Sequence, residues 1–130
     1  MDGRSELFYF ERMPIWKLAR DLFNQVYDVS AMFPKEEKYG LTDQIRRAAV
    51  SIASNISESS GRISNRDRLR FLDFAYGSLM EVRCQLLLAY DREYINIDSI
   101  QNISQNIVEI YRMLSAMRKH LREDPDTNTF

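Results

Sequence analysis

Apolar residues in this chain recur at alternating three- and four-residue intervals in four separate stretches, and helices are the regular structure that collects such spacing on one face. Leu72, Ala75, Leu79, Val82, Leu86 and Ala89 form the longest unbroken run, a bundle-type seam. Ile103, Ile107, Ile110, Leu114, Met117 and Leu121 repeat the pattern towards the C-terminus. Ile15, Leu18, Leu22, Val26, Val29 and Phe33 do so near the start, between Pro14, which suits a first helical turn, and Pro34, which forces a stop. Ile45, Ala49, Ile52 and Ile56 supply the fourth line. With only 4 Gly and 3 Pro in 130 residues, the chain lacks the turn residues of a loop-rich β fold, so the prediction is all-α.

The breaks between these stretches place the helix ends. Residues 35–40 read as a charged turn, and the second helix should start near Leu41 or Thr42 and end at Gly61, a residue that tolerates the left-handed conformation of many helix ends. Ser64 with Asp67 predicts a cap for the third helix, which then runs to about Asp91. Residues 94–97 are β-prone but too short and partnerless for a strand, so they read as a packed connection, with Asp98 capping the fourth helix. Pro125 ends that pattern in a polar tail expected to fray. Short connections make neighbouring helices antiparallel, which predicts an up-down-up-down four-helix bundle over residues 13–122, an N-terminal arm over 1–12 and a tail over 123–130.

Composition narrows the partners. Eighteen Lys plus Arg oppose nineteen Asp plus Glu, a net charge of −1, so nucleic acid or a membrane surface would need a local patch. The single cysteine, Cys84, cannot form an intramolecular disulfide, and the first residues carry no signal-peptide pattern, so a cytoplasmic location is expected. No apolar run approaches the roughly 18 residues of a membrane span, and no membrane partner is predicted.

Two helices are apolar on more than one side. The first adds Trp16, Ala19, Phe23 and Tyr27 to its main line, and the third adds Phe71, Phe74, Met80, Cys84 and Leu87. Either the core face is wide, or Trp16, Phe23, Tyr27, Phe71 and Phe74 meet another copy of the chain, since clustered aromatics left in water are sticky. Phe8, Tyr9 and Phe10 in the arm pose the same choice, between docking on a neighbouring subunit and disorder.

Beside the Ile45/Ile52/Ile56 line, a helical wheel gathers Gln44, Ser51, Asn55, Glu58 and Arg62 into a polar stripe. The third helix carries a matching set, Ser78, Glu81 and Gln85, with Gly77 open to close approach. The prediction is that the two stripes face one another, the carboxylates buried against Arg46, Arg47 and Arg62; breaking one such pair would cost about 3–5 kcal/mol. The alternative is a solvated flank with surface pairs such as Asp43 with Arg47.

The segment QIRRAAVSIASNISESSGR from Gln44, the segment RFLDFAYGSLMEVRCQLLLA from Arg70, and the earlier IWKLARDLFNQVY and FPKEEKYGLTDQIRRA resemble the four-helix bundle family of ribosomal-RNA intervening-sequence proteins. The resemblance covers residues 15–121. Asn55, Glu58, Gly61 and Arg62 match a motif typical of the family, while Ser57 and Ser59 stand where relatives usually carry Ala and Gly. The resemblance implies a ring of five protomers. It also implies a relation to the accessory variability determinant of diversity-generating retroelements, a basic ring that binds nucleic acid and a reverse transcriptase. A closed ring needs heterologous contacts, in which two different faces of each protomer meet.

No catalytic, metal or cofactor set is legible. His120 is the lone histidine, so the paired Glu-x-x-His motifs of di-metal bundles are missing, and it reads as an exposed side chain at a helix C-terminus. Cys84, in an apolar context, reads as a small buried hydrophobe. Ser59, Ser60 and Gly61 lack the composition and following Lys of a phosphate loop. The function expected is therefore a non-enzymatic, self-assembling scaffold or accessory protein. RNA, DNA or a nucleic-acid enzyme would meet Arg62, Arg66, Arg68 and Arg70, a cluster that otherwise reads as a solvated helix start with Asp67–Arg70 pairing. The alternative is a ring that binds a small ligand or a protein and has no nucleic-acid role.

Overall fold

A computed structural model describes residues 7–123. The first six residues of the arm, and the tail from 124 onwards with Pro125, lie outside the described residues. The chain is all-α, with no strand among those residues: α1 (Tyr9–Arg12), α2 (Pro14–Ser30), α3 (Leu41–Ser60), α4 (Asn65–Asp91) and α5 (Ile97–Glu123), plus a 3-10 turn at Lys35–Glu37. Pro14 opens α2, and Met13 before it takes the extended conformation that a following proline imposes, which separates α1 from α2.

The long helices pack in a cycle: α3 contacts α2 and α4, while α5 contacts α4 and α2. Hydrogen bonds show the direction of each contact. Ser59 meets Arg68 and Ser51 meets Ser78, so contacts advance along α4 as they retreat along α3. Asp73 meets Arg118 and Arg83 meets Ser104, which gives the same sense between α4 and α5. The shared interior holds Leu22, Ile45, Ile52, Leu79, Leu86, Ile110 and Leu114, all fully shielded. At about 1.5–3 kcal/mol for each such side chain, this apolar burial is the main force holding the helices together.

Helix ends differ from expectation at three places: α2 stops at Ser30, short of Phe33 and Pro34, and the ends at Gly61 and Asp98 are built otherwise. Gly61 is right-handed (φ −88°, ψ −4°), because the chain leaves α3 through backbone bonds from Gly61 and Arg62 to the last helical carbonyls and needs no left-handed residue. The left-handed residue is Glu93 (φ 63°), where Tyr94 N–H bonds to the Ala89 carbonyl in a helix-ending motif that ordinarily prefers glycine. At the start of α5, Asn96 rather than Asp98 provides the cap, its Oδ1 accepting the Ser99 N–H at 2.9 Å. Ser64 does cap α4, accepting the Asp67 N–H at 3.1 Å. The 94–97 connection is packed: Ile95 is buried, and Tyr94 lies against Phe33.

The start of α3 is held by a side chain from outside the helix. Glu37 accepts the Leu41 N–H at 3.1 Å and the Tyr94 O–H at 2.9 Å. The Leu41 bond first, then the Tyr94 bond and the charge of Arg92, hold this carboxyl below its ordinary range, against the effect of desolvation. Gly40 leaves room for it, since a Cβ there would lie 2.9 Å from Glu37 Oε1.

Candidate functional site

Polar side chains are concentrated between α3 and α4. Ser78 Oγ and Ser51 Oγ lie 2.7 Å apart across the seam, and Asn55 donates to both the carbonyl (2.8 Å) and hydroxyl (3.0 Å) of Ser51. Ser59 is fully buried and donates to the Arg68 carbonyl at 2.9 Å, so it ties the end of α3 to the start of α4.

The buried carboxylate network is not there. Glu58, Glu81 and Gln44 are exposed, because hydroxyls and amides occupy the seam and need no counter-charge. Glu58 pairs with Arg62 at 2.9 Å on the surface, and Asp43 with Arg47 likewise, pairs worth only tenths of a kcal/mol. Arg46 serves a different seam, donating to Ser30 Oγ on α2 at 2.8 Å and stacking 4.3 Å over Tyr27. Gly77 faces outward, with nothing within 4 Å of a Cβ, so no neighbouring helix of this chain approaches it.

The four arginines near the start of α4 have divided roles. Arg68 turns inward, donating to the Arg62 carbonyl at 2.9 Å and to Asn65 Oδ1 at 3.0 Å. Arg62 and Arg70 stack on Phe71 at 4.4 and 4.9 Å. Arg66 and Arg70 are exposed. A local cluster in sequence has thus become partly a structural clamp.

The aromatic candidates also divide. Trp16, Phe23 and Phe71 are half-buried within the protomer, and Phe10 of the arm packs edge-on against Trp16 at 4.9 Å. Phe74 is 52% exposed, and Met80, Leu87, Leu88 and Tyr27 are exposed as well. The rear of α4 is therefore open rather than buried from a second direction. Cys84 lies on it and is exposed, contrary to its reading as a buried hydrophobe, because the core line of α4 runs along the opposite side.

Two grooves meet on the flank of α3. One, of about 550 Å³, is lined by Tyr27, Lys38, Tyr39, Asp43, Arg46 and Arg47, among others. The other, of about 320 Å³, includes Gln44, Arg47, Ser51, Ser78, Glu81 and Gln85. They share Arg47 and Ser51, which stand between them, the first groove lying on the α2 side of α3 and the second on the α4 side. Sequence reasoning passed over Lys38 and Tyr39, although a cation beside an aromatic in a short turn was a legible signal. A separate cleft of about 500 Å³ lies where α1, α2 and α5 converge, with Met13, Ile15, Met113, Met117 and Leu121 as apolar lining and Arg12 and His120 among its polar residues.

Among the described residues, no three His, Cys, Asp or Glu side chains come together as a metal site, and no helix is long and apolar enough to cross a membrane. Cys84 and His120 are also far apart. Arg83 bonds Ser104, and His120 stands a further sixteen residues along α5, about 24 Å at 1.5 Å per residue.

Comparison with known proteins places this architecture. The model of the 23S rRNA-intervening sequence protein family matches residues 11–116. A solved structure from Bacteroides thetaiotaomicron, described as a protein of unknown function from the S23 ribosomal protein family, superposes with a TM-score of 0.75 at 22% identity, covering 81% of this chain and 98% of that one. At that identity the likeness shows the fold. Comparison with curated proteins gives no match.

Proposed function

The chain belongs to the 23S rRNA-intervening sequence protein family, and from that premise we propose that it is a non-enzymatic, self-assembling scaffold or accessory protein of the cytoplasm. In this reading the protomer is an up-down-up-down four-helix bundle, and five copies close a ring. The observation that carries self-assembly is the outer face of α4, where Phe74, Met80, Leu87 and Leu88 stand exposed around Gly77 and Cys84. No other long helix presents so apolar an outer side, and such a face calls for a partner. The number five, the kinship with the accessory variability determinant and a reverse transcriptase as partner rest on sequence resemblance alone. The non-enzymatic part rests on the lone histidine, His120, lying far from Cys84 along the bundle, and on there being no metal-binding cluster among the described residues.

Mass in solution, measured by sedimentation over a range of concentrations, tests this reading. A ring of five is expected, and Phe74→Glu or Leu88→Glu should shift it to smaller species while the circular dichroism stays helical. A monomer at every concentration overturns the proposal.

The cleft beside α1 favours a second reading, a ring that binds a small apolar ligand. Its volume falls within the usual range for ligand pockets, and methionines lend it adaptable walls. An environment-sensitive apolar dye should brighten on binding and be displaced in Ala116→Trp; equal binding by that variant removes this reading.

A further inference from the structure

We propose that the two adjoining grooves on either side of Arg47 and Ser51 bind single-stranded RNA, with Tyr39 stacking on a base, Lys38 and Arg47 holding phosphates and Gln85 reading a base edge. This adds a nucleic-acid ligand to the proposed accessory role and places it away from the Arg62–Arg70 cluster expected from the sequence. It does not depend on the ring.

The two grooves divide the chemistry between them. At one end Tyr39 is 86% exposed, an open aromatic face of the kind that unpaired bases stack on without regard to sequence. Lys38 Nζ lies 5.3 Å from the centre of that ring, so a positive charge sits beside the place a stacked nucleotide would put its phosphate. Arg47 stands at the junction of the two grooves with its side chain 79% exposed, held by Asp43 at 2.9 Å in a surface pair weak enough for a phosphate to displace. Arg46 lines the same groove, and its bonds to Ser30 and Tyr27 fix it in position.

The other end carries groups that recognise base edges. Gln85 is only 9% exposed, and its Oε1 is buried with no hydrogen-bond partner. A buried acceptor without a donor is unfavourable, and rotation of the Gln85 side chain towards the groove would let an amino or ring N–H of a base supply one. Glu81 lines the same end and is a second acceptor, while Ser51 and Ser78 provide hydroxyls within reach of a sugar. Asp43 and Glu81 are the acidic side chains of the groove, so its net field is modest. A single strand that stacks and hydrogen-bonds fits it better than a duplex held by phosphates alone.

The Arg62–Arg70 cluster offers less. Arg68 is engaged with Arg62 and Asn65, and the ring of Phe71 already carries two guanidinium groups.

The test is titration of the full chain with short labelled homopolymeric RNAs at several salt concentrations, with sedimentation of the same samples. Tyr39→Ala should weaken binding about tenfold. Replacing Lys38 and Arg47 together by Ala should flatten the slope of log affinity against log salt by about 0.7 for each phosphate no longer neutralised. Gln85→Leu should change the ranking of oligo-A, oligo-C and oligo-U with the slope unchanged. Absence of binding at low salt overturns the proposal. So does a larger loss from Arg66→Ala with Arg70→Ala than from the Lys38 and Arg47 pair. A ring without RNA binding sinks the groove and leaves self-assembly standing; a monomer that binds RNA in the predicted order does the reverse.

Discussion

The two sides of α4 are built from similar residues and have opposite environments. Leu72, Leu79, Val82 and Leu86 on the inner side are fully shielded, whereas Phe74, Met80, Leu87 and Leu88 on the outer side face solvent in the protomer. Leu86 and Leu88 differ by two positions and by about half of a side chain's surface, 0% against 49%. The difference separates two tasks that hydrophobicity performs on one helix. The inner side drives folding, and the outer side takes no part in the protomer's core.

The largest effect that would sharpen this contrast is truncation on the inner side. Leu86→Ala or Leu79→Ala should lower unfolding stability by about 2–5 kcal/mol through reduced burial and a residual cavity. Leu88→Ala, in dilute samples, should stay within about 0.5 kcal/mol of the parent and show its effect in solution mass. Urea unfolding with parallel sedimentation measures both, and equal costs on the two sides would break the comparison.

A smaller effect is expected at the polar seam beside the inner side. Ser78→Ala leaves the Ser51 hydroxyl with one partner fewer and should cost about 1 kcal/mol, while Ser51→Ala with Ser78→Ala together should cost less than the sum of the single changes. Additive costs in that double-mutant cycle would show that the two hydroxyls are not coupled. At the end of α4, which belongs to neither side, Glu93→Gly should raise stability by roughly 0.5–1 kcal/mol, since glycine removes the left-handed strain but adds freedom to the unfolded chain. An unchanged melting temperature would contradict that.

The smallest effect is a pH dependence away from α4. The native pKa of Glu37 is depressed, so its contribution is fully present above the unfolded-state value and is lost as pH falls through the native one. Glu37→Gln should therefore flatten the acid limb of the stability profile while changing its slope near neutrality very little. An acid limb identical to the parent's would show that the cap contributes nothing.

The spacing of Leu72, Leu79 and Leu86, with Pro14 and Ser64, was enough to locate the long helices and the side of each that meets the core, while Pro34 set only an outer limit to α2, which ends at Ser30. A three-four repeat reports burial directly, and proline and capping serine act through their own backbone chemistry. The polar seam was legible as a pairing of stripes but not in its chemistry. A helical wheel places Ser51 and Glu58 on one line without saying which of them lies deeply enough between helices to lose water, and the short hydroxyls went in while the long carboxylates reached solvent. Glu93 was invisible for a related reason, since a glutamate gives no local signal for a left-handed turn. The α3 groove was hidden because Gln85 comes from a different helix, and only packing brings it beside Arg47.

The bond from Asn106 to the Leu18 carbonyl, at 3.2 Å, joins residues 88 apart in sequence, whereas the Ser51–Ser78 bond spans 27. Loop-closure entropy makes the longer link about 1 kcal/mol harder to form from an open chain. The chain's first and last long helices should accordingly find each other late in folding, after the α3–α4 hairpin has formed, and part early when the native state fluctuates. Faster amide exchange across the middle of α2 and α5 than across α3 and α4 would mark that seam as the bundle's latch.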